Sequence, residues 1–264
     1  MSADPPPAGS DPTQRFSGRA DAYVRYRPHY PAGVLDVLRA EFGLTPASVI
    51  ADIGSGTGIL AKLFLDHGNR VFGVEPNPEM RAAGEEFLRH HRHFTSVAGS
   101  AEATSLESDS VDFVTAGQSF HWFDPLPTRE EFRRILRSGG RAVVIWNERL
   151  LDETAFLREY EALLLRFGTD YSRVHESYPR AEQMLTFFHP NEFTSHALPN
   201  FQEFDFEGLT GRLRSSSYAP TPDNPRFQPM IDELQRIFAA HQEHGKVRLE
   251  YRTRIYTGKL DAIG

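Results

Sequence analysis

The chain has 264 residues, 39% hydrophobic and 25% charged, which is enough apolar material for one large α/β domain with a cap but short for two independent domains. Its formal net charge of -7 argues against a dedicated nucleic-acid or anionic-membrane binder, whose affinity would come mainly from Lys and Arg. The absence of cysteine excludes disulfides, Cys-ligated zinc, iron–sulfur clusters and thiol nucleophiles.

The N-terminal stretch carries Pro5, Pro6 and Pro7 and lacks the basic-then-apolar pattern of a secretory signal, so residues 1–14 are expected to be a disordered head. No apolar run of about 18 residues suggests a transmembrane helix. Together with the missing cysteines, this leads us to expect a cytoplasmic protein. From Phe16 to Tyr30 the chain is aromatic and basic, with Tyr23, Arg25, Tyr26 and Arg27. A short helix over Ser17 to Tyr26 is expected to stop before Pro28.

Strand and helix then alternate. Ser48 to Ile53 reads as the first strand and Ile59 to His67 as an amphipathic helix. Arg70 to Val74 is the second strand, and Pro78 opens the next helix at its favoured first position. Phe94 to Ala98 and Val111 to Ala116 are the third and fourth strands. Thr128 and Glu131 have the spacing of a capping box, Gly139-Gly140 is expected to stop that helix, and Arg141 to Trp146 is the fifth strand. Such alternation predicts a parallel sheet with right-handed crossovers. Beyond Asn147 come helical stripes at Phe156 to Phe167, Ala181 to Phe188 and Phe227 to Phe238. Alternating patterns at Phe201 to Glu207 and Val247 to Tyr256 read as the last two strands. Residues of about 150–200 form the expected helical cap insertion.

The chemistry concentrates after the first strand, in Asp52-Ile53-Gly54-Ser55-Gly56-Thr57-Gly58. Glycines at that turn allow a tight bend and close approach of a ligand to the backbone. A dinucleotide loop, G-x-G-x-x-G, would place its third glycine at position 59, which is Ile59. A phosphate loop would need G-K-[ST], which is absent. The loop instead matches D-x-G-x-G-x-G and resembles the first motif of class I S-adenosylmethionine-dependent methyltransferases. Glu75 closes the second strand, where a carboxylate can accept both ribose hydroxyls of an adenosyl group. It is followed by Pro76 and Asn77, and Met80 lies in the next helix. Gly99-Ser100-Ala101-Glu102 stands where the family holds adenine, with Ser100 in place of the usual Asp. Gln118 to Phe123 follow the fourth strand and are similar to the family's small-molecule branch, which includes carboxylate methyltransferases.

The resemblance covers residues 15 to 147 best and implies a doubly wound, Rossmann-like seven-stranded sheet in the order 3-2-1-4-5-7-6. Residues 15–264 would form a single domain, with 15–30 as a lid. It implies S-adenosylmethionine as cofactor, held by Tyr23, Arg27, Asp52, Gly54, Ser55, Gly56, Gly58, Glu75, Pro76, Asn77, Met80, Ser100, Ala101, Glu102 and Gln118. His121 is the candidate general base, while Trp122, Phe123, Trp146, Asn147 and Tyr218 are the candidate acceptor contacts. The expected acceptor is a small molecule, methylated on oxygen or carboxylate by a monomer or homodimer. An NAD-dependent oxidoreductase and a non-catalytic S-adenosylmethionine-binding regulator are the competing readings. The residues at positions 116–118 lack the DNA amino-methyltransferase motif, and His90, His91 and His93 suit a helix end better than a metal site.

Overall fold

The computed structural model describes residues 25–169, 171 and 181–260. The head, Tyr23 and most of the expected first helix lie outside them. The elements are α1 (Gly33–Phe42), β1 (Val49–Ile53), α2 (Ile59–Asp66), β2 (Arg70–Val74), α3 (Pro78–Phe87), β3 (Phe94–Val97) and β4 (Val111–Gly117). There follow α4 (Pro125–Ile135), β5 (Leu136–Arg149), α5 (Ala155–Phe167), α6 (Ala181–Phe188), β6 (Phe193–Phe204), α7 (Phe206–Arg214), α8 (Phe227–His241) and β7 (Val247–Gly258).

The seven strands form one sheet in the order β3-β2-β1-β4-β5-β7-β6, as expected. β1 to β5 pair in parallel. β7 runs antiparallel to both β5 and β6, which leaves β6 parallel to the first five strands. The period-two alternation of the strands sorts their side chains onto two faces. Ile50, Val71, Val143 and Ile145 pack with Val34 and Leu38 of α1 and Phe64 of α2. Ala51, Ile53, Ala142 and Val144 pack with Phe132 and Ile135 of α4 and Phe187 and Phe188 of α6. Burying each such Phe is worth about 1.5–3 kcal/mol. A third cluster joins α5, α7 and α8 to Leu249 and Tyr251 of β7.

Three expectations change. The capping box does not form: α4 begins at Pro125 with Asp124 as its N-cap residue, so Thr128 lies within the helix. Glu131 instead accepts the Thr104 amide at 2.9 Å and the Thr104 hydroxyl at 2.5 Å, and pairs with Arg134. Gly139 and Gly140 lie inside β5, because α4 has already ended at Ile135. β6 starts at Phe193, so the helical insertion is shorter than expected, and Glu207 belongs to α7. The insertion also divides. α5 enters the third cluster, while α6 packs beside α4, where Arg129 Nε donates to the Phe187 carbonyl at 3.1 Å.

Candidate active site

The turn after β1 is built by its own backbone. The amides of Gly54 and Ser55 both donate to the Val74 carbonyl, at 2.8 and 3.1 Å, which folds the loop back over the end of β2. Gly58 has φ +83, and a Cβ there would meet Leu88 Cδ1 at 2.5 Å, so only glycine lets α2 start against α3. Gly56 differs. Its φ is +55, but an added Cβ would meet only Met80 Cε, at 3.4 Å, so the loop stays open at this point. Ser119, after β4, packs onto Gly54, with its hydroxyl donating to the Ile53 carbonyl at 2.9 Å. The loops after β1 and β4 therefore share one mouth at the carboxyl ends of the strands.

Two carboxylates stand at this mouth. Glu75 is 8% exposed and accepts the Gly56 amide on Oε2 and the Asn77 amide on Oε1, both at 2.8 Å. Each oxygen keeps a lone pair. Burial pushes Glu75 above the ordinary carboxylate range, opposed by those two amides. Asn77 in turn caps α3 by accepting the amides of Glu79 and Met80. Pro76 is exposed and Met80 buried. Asp52, 1% exposed, accepts the Thr115 hydroxyl at 3.1 Å, and the backbone amide of Ala61 in α2 also acts on its carboxylate. Burial pushes it up to about 7.

After β3, Ala101 is buried, while Ser100 and Glu102 are half-buried. Glu102 accepts the Asp124 amide at 3.0 Å, at the N-terminus of α4. Burial would raise this carboxyl, but that amide and the Ser100 hydroxyl outweigh it and hold it low. Ser100 thus engages its neighbour.

After β4, Gln118 has φ +58 and accepts the Asn147 amide on its side-chain oxygen at 2.5 Å. His121 sits in a helical turn of 3-10 type over Phe120–Trp122, with its ring centroid 4.4 Å from Trp122 and 5.2 Å from Trp146. The sequence thus brings His121, Trp122 and Trp146 into one aromatic wall. Phe123 turns toward Phe120 and Phe132 instead. The Asn147 side chain braces the mouth. It accepts the Thr253 hydroxyl at 2.6 Å and the Asn200 amide at 3.2 Å, and its own amide points to the carbonyls of Pro28 and His29.

The described part of the N-terminal segment lies across this region. Gln202 donates to the Tyr26 carbonyl, Arg27 donates to the Ser215 carbonyl at 3.0 Å, and the Tyr30 hydroxyl sits against Gly117. Beyond Arg27, the end of β5 enters a polar cluster that sequence reasoning missed. It contains Arg149, Glu161, Tyr171, Arg212, Tyr218 and Tyr251. The signal was present in α7, where Arg212 occupies the apolar face between Leu209 and Leu213. Burial pushes the Tyr218 phenol up, but Arg212, Arg149 and Arg27 outweigh it and hold it below the ordinary tyrosine range. A cavity of about 390 Å³ lies off the outer end of β5, lined by Arg149, Glu161, Arg158, Arg252, Glu148 and Asp152 among others; it carries both signs of charge, and none of the residues expected in the site lines it.

Comparison with known proteins agrees with this geometry. The methyltransferase domain family matches residues 51–144, from β1 into β5. An uncharacterized methyltransferase of Mycobacterium tuberculosis is 30% identical over 239 residues, 88% of each chain. One of Schizosaccharomyces pombe is 32% identical over 241 residues, covering 90% of this chain and 93% of its own. Among solved structures, one from Anaeromyxobacter dehalogenans, assigned without proof of activity to the type II methyltransferases, superposes with a TM-score of 0.65 at 22% identity, over 89% of this chain and 98% of its own. A SAM dependent methyltransferase from Aquifex aeolicus does so with a TM-score of 0.54 at 13% identity, over 94% and 98%. The solved structures speak for the fold, and the relatives of 30% identity and above speak for the family. With the sheet order, the D-x-G-x-G-x-G turn and Glu75 at the end of β2, they establish that the chain belongs to the class I S-adenosylmethionine-dependent methyltransferases.

Proposed function

We propose that this methyltransferase binds S-adenosylmethionine at the glycine loop and methylates a small-molecule acceptor on a hydroxyl or carboxylate oxygen. One feature of the chain suits the cofactor: Gly56 leaves open space where a side chain would stand. Gly54, Ser55, Gly56 and Gly58 would form its bed, with Glu75 on the ribose and Ser100, Ala101 and Glu102 beside the adenine. Asn77, Pro76 and Met80 would shape that side, and Gln118 and Arg27 the other, while Tyr23, expected with them, lies outside the described residues. When bound, the cofactor supplies an electrophilic methyl group on a sulfonium.

The protein's own task is alignment and exclusion of water. The observation that carries the small-molecule reading is the aromatic wall of His121, Trp122 and Trp146, at the same sheet edge as the glycine loop. Such a wall suits a compact acceptor with a polar handle, with Asn147 and Tyr218 bracing the space. An acceptor hydroxyl must lose its proton, and His121 is the nearest base; a carboxylate acceptor needs none. Residues 15–30 would act as a lid, and α5 would roof part of the mouth. The net charge of -7 supports a partner other than nucleic acid or anionic membrane, and no helix among the described residues is long and apolar enough to cross a membrane. We place the enzyme in the cytoplasm as a monomer or homodimer. A screen of small hydroxy and carboxylic acids with methyl-labelled donor tests the reading. Labelled product with release of S-adenosylhomocysteine supports it; cofactor binding without turnover on any acceptor would favour a regulatory binding protein.

A further inference from the structure

Two buried guanidinium groups, Arg149 and Arg212, lie beside the third cluster, and one carboxylate, Glu161, pairs with the first. Arg149 is 6% and Arg212 5% exposed. Arg149 Nη2 pairs with Glu161 and donates to the Tyr171 hydroxyl at 2.7 Å. Tyr171 also donates to Glu161, at 2.6 Å. The other terminal nitrogen of Arg149, Nη1, is buried without a hydrogen-bond partner among the described residues. Among the described residues, Arg212 reaches neutral groups only. It donates to the Ser216 hydroxyl at 2.9 Å and to the Tyr251 hydroxyl at 3.4 Å, and no described carboxylate pairs with it. A buried cation without an opposite charge is strongly disfavoured. Among the described residues, the cluster therefore carries one more buried positive charge than its carboxylate balances.

The position of this excess charge is informative. Ile145 of β5 pairs with Gly117, the last residue of β4. Arg149 lies four residues further along the same strand, roughly 13 Å beyond that edge at about 3.3 Å per residue. Between the two come Trp146, on the aromatic wall, and Asn147, the brace. The charge thus lies on the strand that borders the mouth, beyond Trp146 and Asn147.

Building on the methyltransferase reading above, we propose that Arg149 and Arg212 form an anchoring subsite for an oxyanion carried by the acceptor. The anchored group is the far end of the acceptor, and the oxygen that takes the methyl group is a second one, near His121. Guanidinium forks suit carboxylate, sulfate or phosphate.

Titration calorimetry on the full chain tests this, with and without S-adenosylhomocysteine. The probes are sodium succinate, sulfate and phosphate, with succinamide as the neutral control and sodium chloride matching ionic strength. At least one oxyanion should bind saturably, and succinamide should not; the anion that binds identifies the headgroup. Arg212→Gln should weaken that binding about tenfold or more, as loss of charge-assisted hydrogen bonds implies. Arg212→Lys should retain part of it, and neither change should alter the affinity for S-adenosylhomocysteine. If Arg212→Gln does not fold, Arg149→Gln gives the same reading. No saturable binding of any of the three anions, or equal binding by the wild type and the charge-removing variants, overturns the subsite. Oxyanion binding without S-adenosylhomocysteine binding would overturn the methyltransferase reading and leave the subsite standing.

Discussion

Replacing Glu75 with Ala should damage both the empty loop and its affinity for cofactor, by separable amounts. Its two oxygens hold the amides of Gly56 and Asn77, each at 2.8 Å, in a place only 8% exposed. Removing the carboxylate leaves two donors in a largely dry pocket. Each unsatisfied group costs about 1–3 kcal/mol, so unfolding in urea without ligand should show a loss of about 2–4 kcal/mol after partial rescue by water. The two lone pairs offered to the ribose are lost as well. Calorimetry with S-adenosylhomocysteine should then show a further loss on the order of 1.5–3 kcal/mol per charge-assisted bond, before compensation by water. Glu75→Gln should fall between, because its amide can accept from one of the two backbone donors but meets the other with its own NH₂. Unchanged stability and unchanged affinity in a folded Glu75→Ala protein would refute both the loop geometry and the ribose assignment.

Gly56→Ala and Gly58→Ala should part company. Both pay the left-handed backbone penalty of about 1–2 kcal/mol, but only Gly58→Ala also drives its Cβ into Leu88, so it should unfold more easily, whereas Gly56→Ala should fold and lose cofactor affinity. Asp52 has a native pKa of about 7 against an ordinary value of 3.8. The native state therefore binds the extra proton between those values, and the wild type should lose stability relative to Asp52→Asn as pH rises from about 4 to 7, with no further change above. Urea titrations of both proteins across that range check the sign. His121→Ala should lower turnover about 10²-fold on a hydroxyl acceptor, and much less on a carboxylate, with cofactor affinity kept. Asn147→Ala should release the carbonyls of Pro28 and His29, and hydrogen exchange of residues 26–30 should quicken there first.

The central sheet was legible because each of its signals is local. The glycine turn, the acid after β2 and the apolar strands each lie within about eight residues, and their alternation dictates the parallel order. The capping box misled because Thr128 and Glu131 have the right spacing, while Asp124-Pro125, a stronger start, lies one turn earlier. β6 was missed at its beginning because it is an edge strand. It pairs only with β7, so polar residues and Pro199 are tolerated and the alternation is blurred. The Arg149 and Arg212 cluster left one local trace, Arg212 on the apolar face of α7, but not its convergence. Its members come from the end of β5, α5, α7 and β7, and nothing in any one segment shows that the others converge on it.

A crystal structure with S-adenosylhomocysteine tests the account most directly. It should show the ribose on Glu75, the adenine beside Ala101, and the amino-acid end over Gly56 within reach of Asp52, with the sulfur facing the wall of His121, Trp122 and Trp146. A ligand bound elsewhere, such as in the mixed-charge cavity off the end of β5, with the glycine loop empty, would contradict it.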